Sequence, residues 1–321
     1  MFRLTLVLAA ASVVLGVGIA AASPPSPDNA AGRGNDILGV VPTQAAAHSD
    51  AGKGGGGGNL VYHGGKVLNT NRTVAIYWAP AGATLATGYA STISRYFTDV
   101  AAASGRTDNV YGVETQYYDV TGAHIQYTSA FGGSVSDSNA YPSSGCSDSV
   151  AATSICLSDA QLRAEIQSLF AAGTLGTPDP NTTYFVFTAK NVGSCYSSSS
   201  CAFSQYCAYH SNVAVNGVTV QYANQPYADT VPSACDAGYY PNGQATEADA
   251  TINVASHEHR ESINDPLGNA WYDRRGYEGS DKCAWNFGTL TGSNYNQTIN
   301  GNHYALQQEW SNTSSGCALH S

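Results

Sequence analysis

The run Thr73-Val-Ala-Ile-Tyr-Trp78 is apolar and β-branched and stops at Ala79-Pro80, which predicts a buried strand. From about Ala86 to Ala103 the period changes, with Tyr89, Ile93, Tyr96, Phe97 and Val100 recurring at helical spacing. Val110 to Tyr118 and His124 to Tyr127 alternate and are rich in β-formers, so strands are expected there. Ser158 ahead of Leu162, Ile166, Leu169 and Phe170 predicts a capped second helix. Tyr184 to Thr188 and Val218 to Tyr222 read as two more strands. A third helix is expected from about Glu247 to Asn264, ended by Asp265-Pro266. Beyond Trp271 the chain is mostly Gly, Asn, Ser and Tyr, which predicts irregular structure.

Two N-terminal stretches fall outside this pattern. Met1-Phe2-Arg3, an apolar run from Leu4 to Ile19 and the small residues Ala20 to Ala22 read as a signal peptide over 1–22. The run is short of the roughly 20 apolar residues a membrane span needs, so no span is expected after signal removal. Residues 23–59 are Ala, Gly, Pro, Ser and Asp, closing with Gly54 to Gly58, and are expected to form a disordered pro-segment or linker. The remaining 60–321 is long enough for a single domain of catalytic or binding type.

Composition narrows the class. Only 11% of the residues are charged, against roughly 25% in an average soluble domain. The formal net charge is −10, with no basic footprint, which excludes a nucleic-acid partner. The cysteine count is 8. An even number in an exported chain, without a CxxC pair, predicts disulfides, and Cys146–Cys156 and Cys283–Cys317 are the pairs expected. The expected protein is secreted, disulfide-bonded, loop-rich and α+β.

The chemistry concentrates in the third helix, at His257-Glu258-His259-Arg260-Glu261. His257 and Glu261 are four apart and share one helical face, as the two ligands of an HExxH zinc helix do; here the pattern is HExxE. Glu258, next to His257, is the expected catalytic base that activates water. His259 lies about 200° round from His257 and points elsewhere, and Arg260 is expected to meet a carboxylate. Asp265 is too far along the axis to share an ion with His257. Asp281 is the preferred third metal ligand and Glu278 its competitor. Of the 23 acidic residues, Glu247, Asp249, Glu258, Glu261, Asp265, Asp273, Glu278 and Asp281 all fall between Glu247 and Lys282.

Tyr184-Phe-Val-Phe-Thr188, Cys195, Cys201, the CAYH segment ending at His210, Cys235, the HExxE helix, Asp265-Pro266-Leu267, Asn269-Ala-Trp-Tyr272 and Glu278-x-x-Asp281-x-Cys283 follow one another in this order. That succession resembles the phosphate-induced, EXORDIUM-like secreted proteins, whose plant members carry a similar HELAE, NPL, NAWY and EIGDLC series. The resemblance implies an extracellular or cell-wall-associated protein. Asp265 stands where the plant pattern has Asn, and His259-Arg260 is a further departure. The order strand, helix, strands, metal helix is also similar to that of zincin metallopeptidases, implying a zincin-like mixed sheet with a metal-site helix.

Two expectations follow. One is a secreted zinc-dependent hydrolase, a metallopeptidase with Zn2+ held by His257, Glu261 and Asp281, Glu258 as base, and a peptide or protein substrate. The other is a non-catalytic EXORDIUM-like protein that binds a cell-wall or matrix polymer, with the helix carboxylates paired to Arg260, Arg274 or Arg275. His210 and His303 are candidate transition-state donors or substrate contacts, and Tyr272 and Tyr277 candidate oxyanion donors. No GxSxG elbow, P-loop or GxGxxG is present.

Overall fold

The computed structural model describes residues 37–48, 57–148, 153, 155–292 and 294–321. The expected signal peptide lies outside them. Among the described residues no helix is long and apolar enough to cross a membrane.

The protein is a mixed α/β structure built on a 6-stranded mixed sheet. Its strands are β1 (Ile37–Pro42), β2 (Asn71–Trp78), β3 (Ser129–Asp137), β4 (Thr182–Thr188), β5 (Tyr206–Val215) and β6 (Val218–Gln225). Their spatial order is β1-β5-β6-β4-β2-β3. The β2–β3, β2–β4 and β4–β6 pairs are parallel, while β5 and β6 form an antiparallel hairpin turned at Asn216-Gly217. Both turn residues have positive φ, which suits a two-residue hairpin turn.

Among the described residues, the helices of more than ten residues are α1 (Tyr89–Ala102), α2 (Asp159–Ala171) and α3 (Asp249–Asn264), and they cover the sheet. Side chains alternate along a strand, so each strand feeds two cores. Tyr184 and Val186 of β4 face α2, where Tyr184 meets Phe170 edge-on. Phe185 and Phe187 face α1 and α3, and Phe185 packs on Phe97. Ser158 caps α2 through Gln161, a reciprocal capping box.

Three sequence expectations change. Val110–Gln116 is a 3-10 helix, opened by Asn109 accepting from the Tyr111 amide, although its alternation suggested a strand. His124 to Tyr127 forms only an isolated bridge at Tyr118–His124. Within the stretch expected as a disordered linker, Ile37–Pro42 is a wholly buried strand, antiparallel to β5. Ile37, Leu38, Val40 and Val41 supply apolar area that the surrounding Ala, Gly and Ser conceal in a composition average.

The cysteines form four disulfides, Cys146–Cys156, Cys195–Cys201, Cys207–Cys235 and Cys283–Cys317. Two are the pairs expected from the sequence. The sulfurs of Cys146, Cys156 and Cys195 come together, but as disulfide sulfur they offer no thiolate to a metal.

Candidate metal centre

Every residue of α3 is buried, including His257, Glu258, His259, Arg260 and Glu261. The segment Ala250 to Ser256 is small and uncharged, so the helix enters the core and carries the charged turn in with it. It ends where Pro266 forbids continuation, and the Asp265 carboxylate accepts the Asn269 and Ala270 amides at 2.6 Å each, folding the following chain back.

The helix turns two different faces to its neighbours. His259 points away from His257, as its angular offset requires, and bonds Tyr111 Oη at Nδ1 and Asn71 Oδ1 at Nε2, both 2.9 Å. Burial, with the Arg260 charge beside it, pulls its imidazole down to about 3, so it is a neutral core residue. Arg260 Nε pairs with Glu309 at 3.0 Å, and Nη1 donates to the Gln307 carbonyl. Its carboxylate partner therefore lies outside the HExxE turn.

On the opposite face, His257 Nε2 lies 3.1 Å from Glu261 Oε1 and 3.5 Å from Asp281 Oδ1. The Asp281 loop is held there by its own amide, which donates to Glu261 Oε1 at 2.9 Å. His257 Nε2, Glu261 Oε2 and Asp281 Oδ1 are buried without a hydrogen bond. Tetrahedral zinc with bonds of about 2.0–2.1 Å separates its ligands by about 3.3 Å. The His257 distances bracket that value, and one ligand atom from each of the three residues lies within 4.8 Å of the others, so this donor set fits a zinc ion.

Glu258 sits beside the trio without being part of it. Its Oε1 accepts the Val41 amide of β1 at 3.1 Å, and its Oε2 is hydrogen-bonded to His210 Nδ1 at 3.0 Å. His210 projects from β5 toward α3, opposite in sense to Tyr209, whose hydroxyl reaches Asp159 of α2. It also lies 3.8 Å from Glu261 Oε2 and, through Nε2, 3.8 Å from Glu278 Oε2. Glu278 and Asp281 thus both reach the cluster, Glu278 on the His210 side and Asp281 on the His257 side.

The electrostatics follow from burial. Desolvation pushes the Glu258 carboxyl up to about 8 against the pull of His257, and raises Glu261 in the same way, with Asp281 adding to it. Burial alone would lower the His257 imidazole, yet Glu261, Asp281 and Glu258 together hold it well above its usual range. His210 goes the other way, lowered because desolvation outweighs the pull of Glu261, Asp265 and Asp281. A buried group of carboxylates short of positive charge is costly to ionise, and a divalent cation supplies what is lacking.

Other candidates lie elsewhere. His303 is exposed on a surface hairpin and stacks on Tyr295. The Tyr272 ring stacks on His63, beside the short ladder of Trp271–Tyr272 with Val61–Tyr62. Tyr277 is buried, and its carbonyl accepts the Asp273 amide. What the sequence reading passed over is the strand Ile37–Pro42, although its apolar run around Gly39 carried the signal; His210, a candidate transition-state donor or substrate contact from the sequence, is placed against Glu258. No family model, curated protein or solved structure matches the chain.

Proposed function

We propose that this protein is an extracellular zinc-dependent peptide hydrolase of zincin-like design. The observation that supports it is the convergence of His257, Glu261 and Asp281, with His257 Nε2 and Asp281 Oδ1 making no hydrogen bond, next to a carboxyl raised into the range of a general base. Zinc bound there would act as a Lewis acid toward a peptide carbonyl and acidify water. Glu258 takes the proton of the attacking water and passes it to the amide nitrogen as the C–N bond breaks, returning to carboxylate. The hydrogen bond from His210 Nδ1 fixes the orientation of that carboxyl. Asp281 is carried on a 3-10 turn anchored by Cys283, so its approach to His257 is set by the loop's covalent closure.

A second reading is a non-catalytic EXORDIUM-like wall or matrix protein, favoured by the fact that both Glu258 oxygens are already bonded. One experiment separates the two. Protein purified without chelator is analysed for metal and assayed on casein, as wild type and as Glu258→Gln. About one zinc per chain in both, with hydrolysis only in wild type, supports the hydrolase. Zinc without hydrolysis in either favours the binding protein, and absence of metal sinks the zinc reading.

A further inference from the structure

Strand β1 crosses the candidate metal centre. Its register against β5 slips beside Gly39: Ile37 faces Ser211 and Val40 faces Tyr209, so three steps on β1 match two on β5. The β5 residue inside that step is His210. The slip brings the Gly39 backbone so close that a Cβ there would sit 2.2 Å from Glu261 Oε2 and 2.4 Å from His210 Cε1. No side chain other than hydrogen fits at the crossing. One residue pair further on, the Val41 amide occupies Glu258 Oε1. Trp285 Nε1 donates to the Pro42 carbonyl at 2.9 Å and holds the far end, while Leu38 lies against Gly268, where a Cβ would meet it at 2.6 Å. Past Pro42 the path continues into a cavity of about 590 Å³ whose walls include Thr43, Phe203, Val231 and Ala234.

We propose that the outer edge of β5 is a binding groove for an extended, apolar peptide with glycine at the crossing, and that Ile37–Pro42 is its resident occupant. Adding a strand to an open sheet edge is a general way of holding a peptide: main-chain bonds supply affinity and side-chain pockets supply selectivity. β1 makes these contacts from within the chain, beside the acid–base residue, and Gly52 and the run Gly54 to Gly58 separate it in sequence from the rest of the domain. With β1 seated, both Glu258 oxygens are engaged, Oε1 by the Val41 amide and Oε2 by His210, and departure of the strand frees Oε1 for water, so a seated strand slows hydrolysis without abolishing it. What would be cut rests on the peptidase reading; what is bound does not.

The test uses the full chain and a fluorescent free peptide Ile-Leu-Gly-Val-Val-Pro-Thr, the sequence of residues 37–43. Gly39→Ala places a methyl against Glu261 and His210 and expels β1. The peptide, read by anisotropy in chelator, should bind Gly39→Ala at least tenfold more tightly than wild type, and its analogue with alanine for glycine should not. Equal binding to both proteins, or none to either, overturns the proposal. Should Gly39→Ala fail to fold, hydrogen exchange of the wild type decides. Amides of 37–43 exchanging at least tenfold faster than those of 184–188 mark a strand that opens by itself, and equally slow exchange marks a permanent sheet strand and overturns the proposal. Hydrolysis of casein is recorded in parallel. Peptide binding without hydrolysis sinks the peptidase reading alone, whereas equal hydrolysis by both proteins without peptide binding sinks the groove alone.

Discussion

His257 Nε2 and Glu261 Oε1 stand 3.1 Å apart across one turn of α3 without forming a hydrogen bond. On the zinc proposal, a metal ion replaces the proton that these carboxylates otherwise hold on His257. Zinc at about 100 times its dissociation constant should stabilise the fold by about 2.7 kcal/mol, or about 5–10 °C in Tm for a chain of this size. In Glu261→Gln that gain should disappear, while the metal-free protein is no less stable than wild type, because a buried acid has been replaced by a neutral isostere. Thermal scans with and without zinc check both halves, and a full gain in the variant would remove Glu261 from the ligand set.

The metal-free protein should lose stability as pH rises. Glu258 is held at about 8 in the folded chain against a usual 4.5, so between those values the unfolded state releases a proton that the folded state keeps. Folding therefore binds protons in this window, and rising pH favours unfolding. Glu261, also raised, adds in the same sense. The raised His257 contributes stability that is present below 6.5 and fades as pH climbs through its folded value. His210 and His259, both lowered, oppose this up to about 6.5, so Tm of chelator-treated protein should fall from pH 6.5 to pH 8, and added zinc should restore more at pH 8, since its ligands must be deprotonated. A flat or rising profile without metal would contradict this.

Arg260 carries a different load. It is buried with Glu309, which also takes the Ser280 hydroxyl, and Glu114 lies in the same field. Burial raises both acids while Arg260 restrains them. Arg260→Met should cost about 3–5 kcal/mol by leaving those carboxyls uncompensated, less at pH 5 than at pH 8 because protonation relieves the repulsion. Arg106→Ala, in an exposed pair with Asp108, should leave stability almost unchanged at either pH. Urea denaturation at the two pH values measures both variants.

Much of this arrangement was legible in the sequence because local rules coincide with tertiary ones at α3. The i, i+4 spacing of His257 and Glu261 fixes a shared face, and the offset of His259 sends it to Tyr111 and Asn71. Asp281 was reachable because Cys283 ties its loop. What escaped depended on long-range pairing. Nothing local says that Ile37–Pro42 seats on Tyr206–Ser211, and a five-letter apolar run inside a glycine-rich tract looks too small to offset its ordering entropy until β5 supplies a partner. The sequence marks His210 as a transition-state donor or substrate contact, but its bond to Glu258 depends on α3, 48 residues on. Val110–Gln116 misled because alternation also suits a 3-10 helix that is nearly all buried.

The Cys283–Cys317 disulfide should separate metal-site geometry from bulk stability. It closes a 34-residue separation and Cys146–Cys156 one of 10, so loop entropy alone predicts losses of about 4 and about 3 kcal/mol when each is removed. The two differ in what they hold. Cys283 ends the turn Asp281–Cys283, whose first residue faces His257, while Cys146–Cys156 lies by the start of α2, behind the sheet. Replacing Cys283 and Cys317 together by Ser should therefore weaken zinc binding about tenfold in addition to lowering Tm, because the covalent closure is lost and ordering Asp281 beside His257 falls to its hydrogen bonds with Glu261, Glu278 and Ala284. Replacing Cys146 and Cys156 should lower Tm and leave zinc affinity within about twofold. Zinc titrations of the two double variants below their melting temperatures decide it: equal affinities would mean that Asp281 is positioned without the disulfide, or that it is not a ligand.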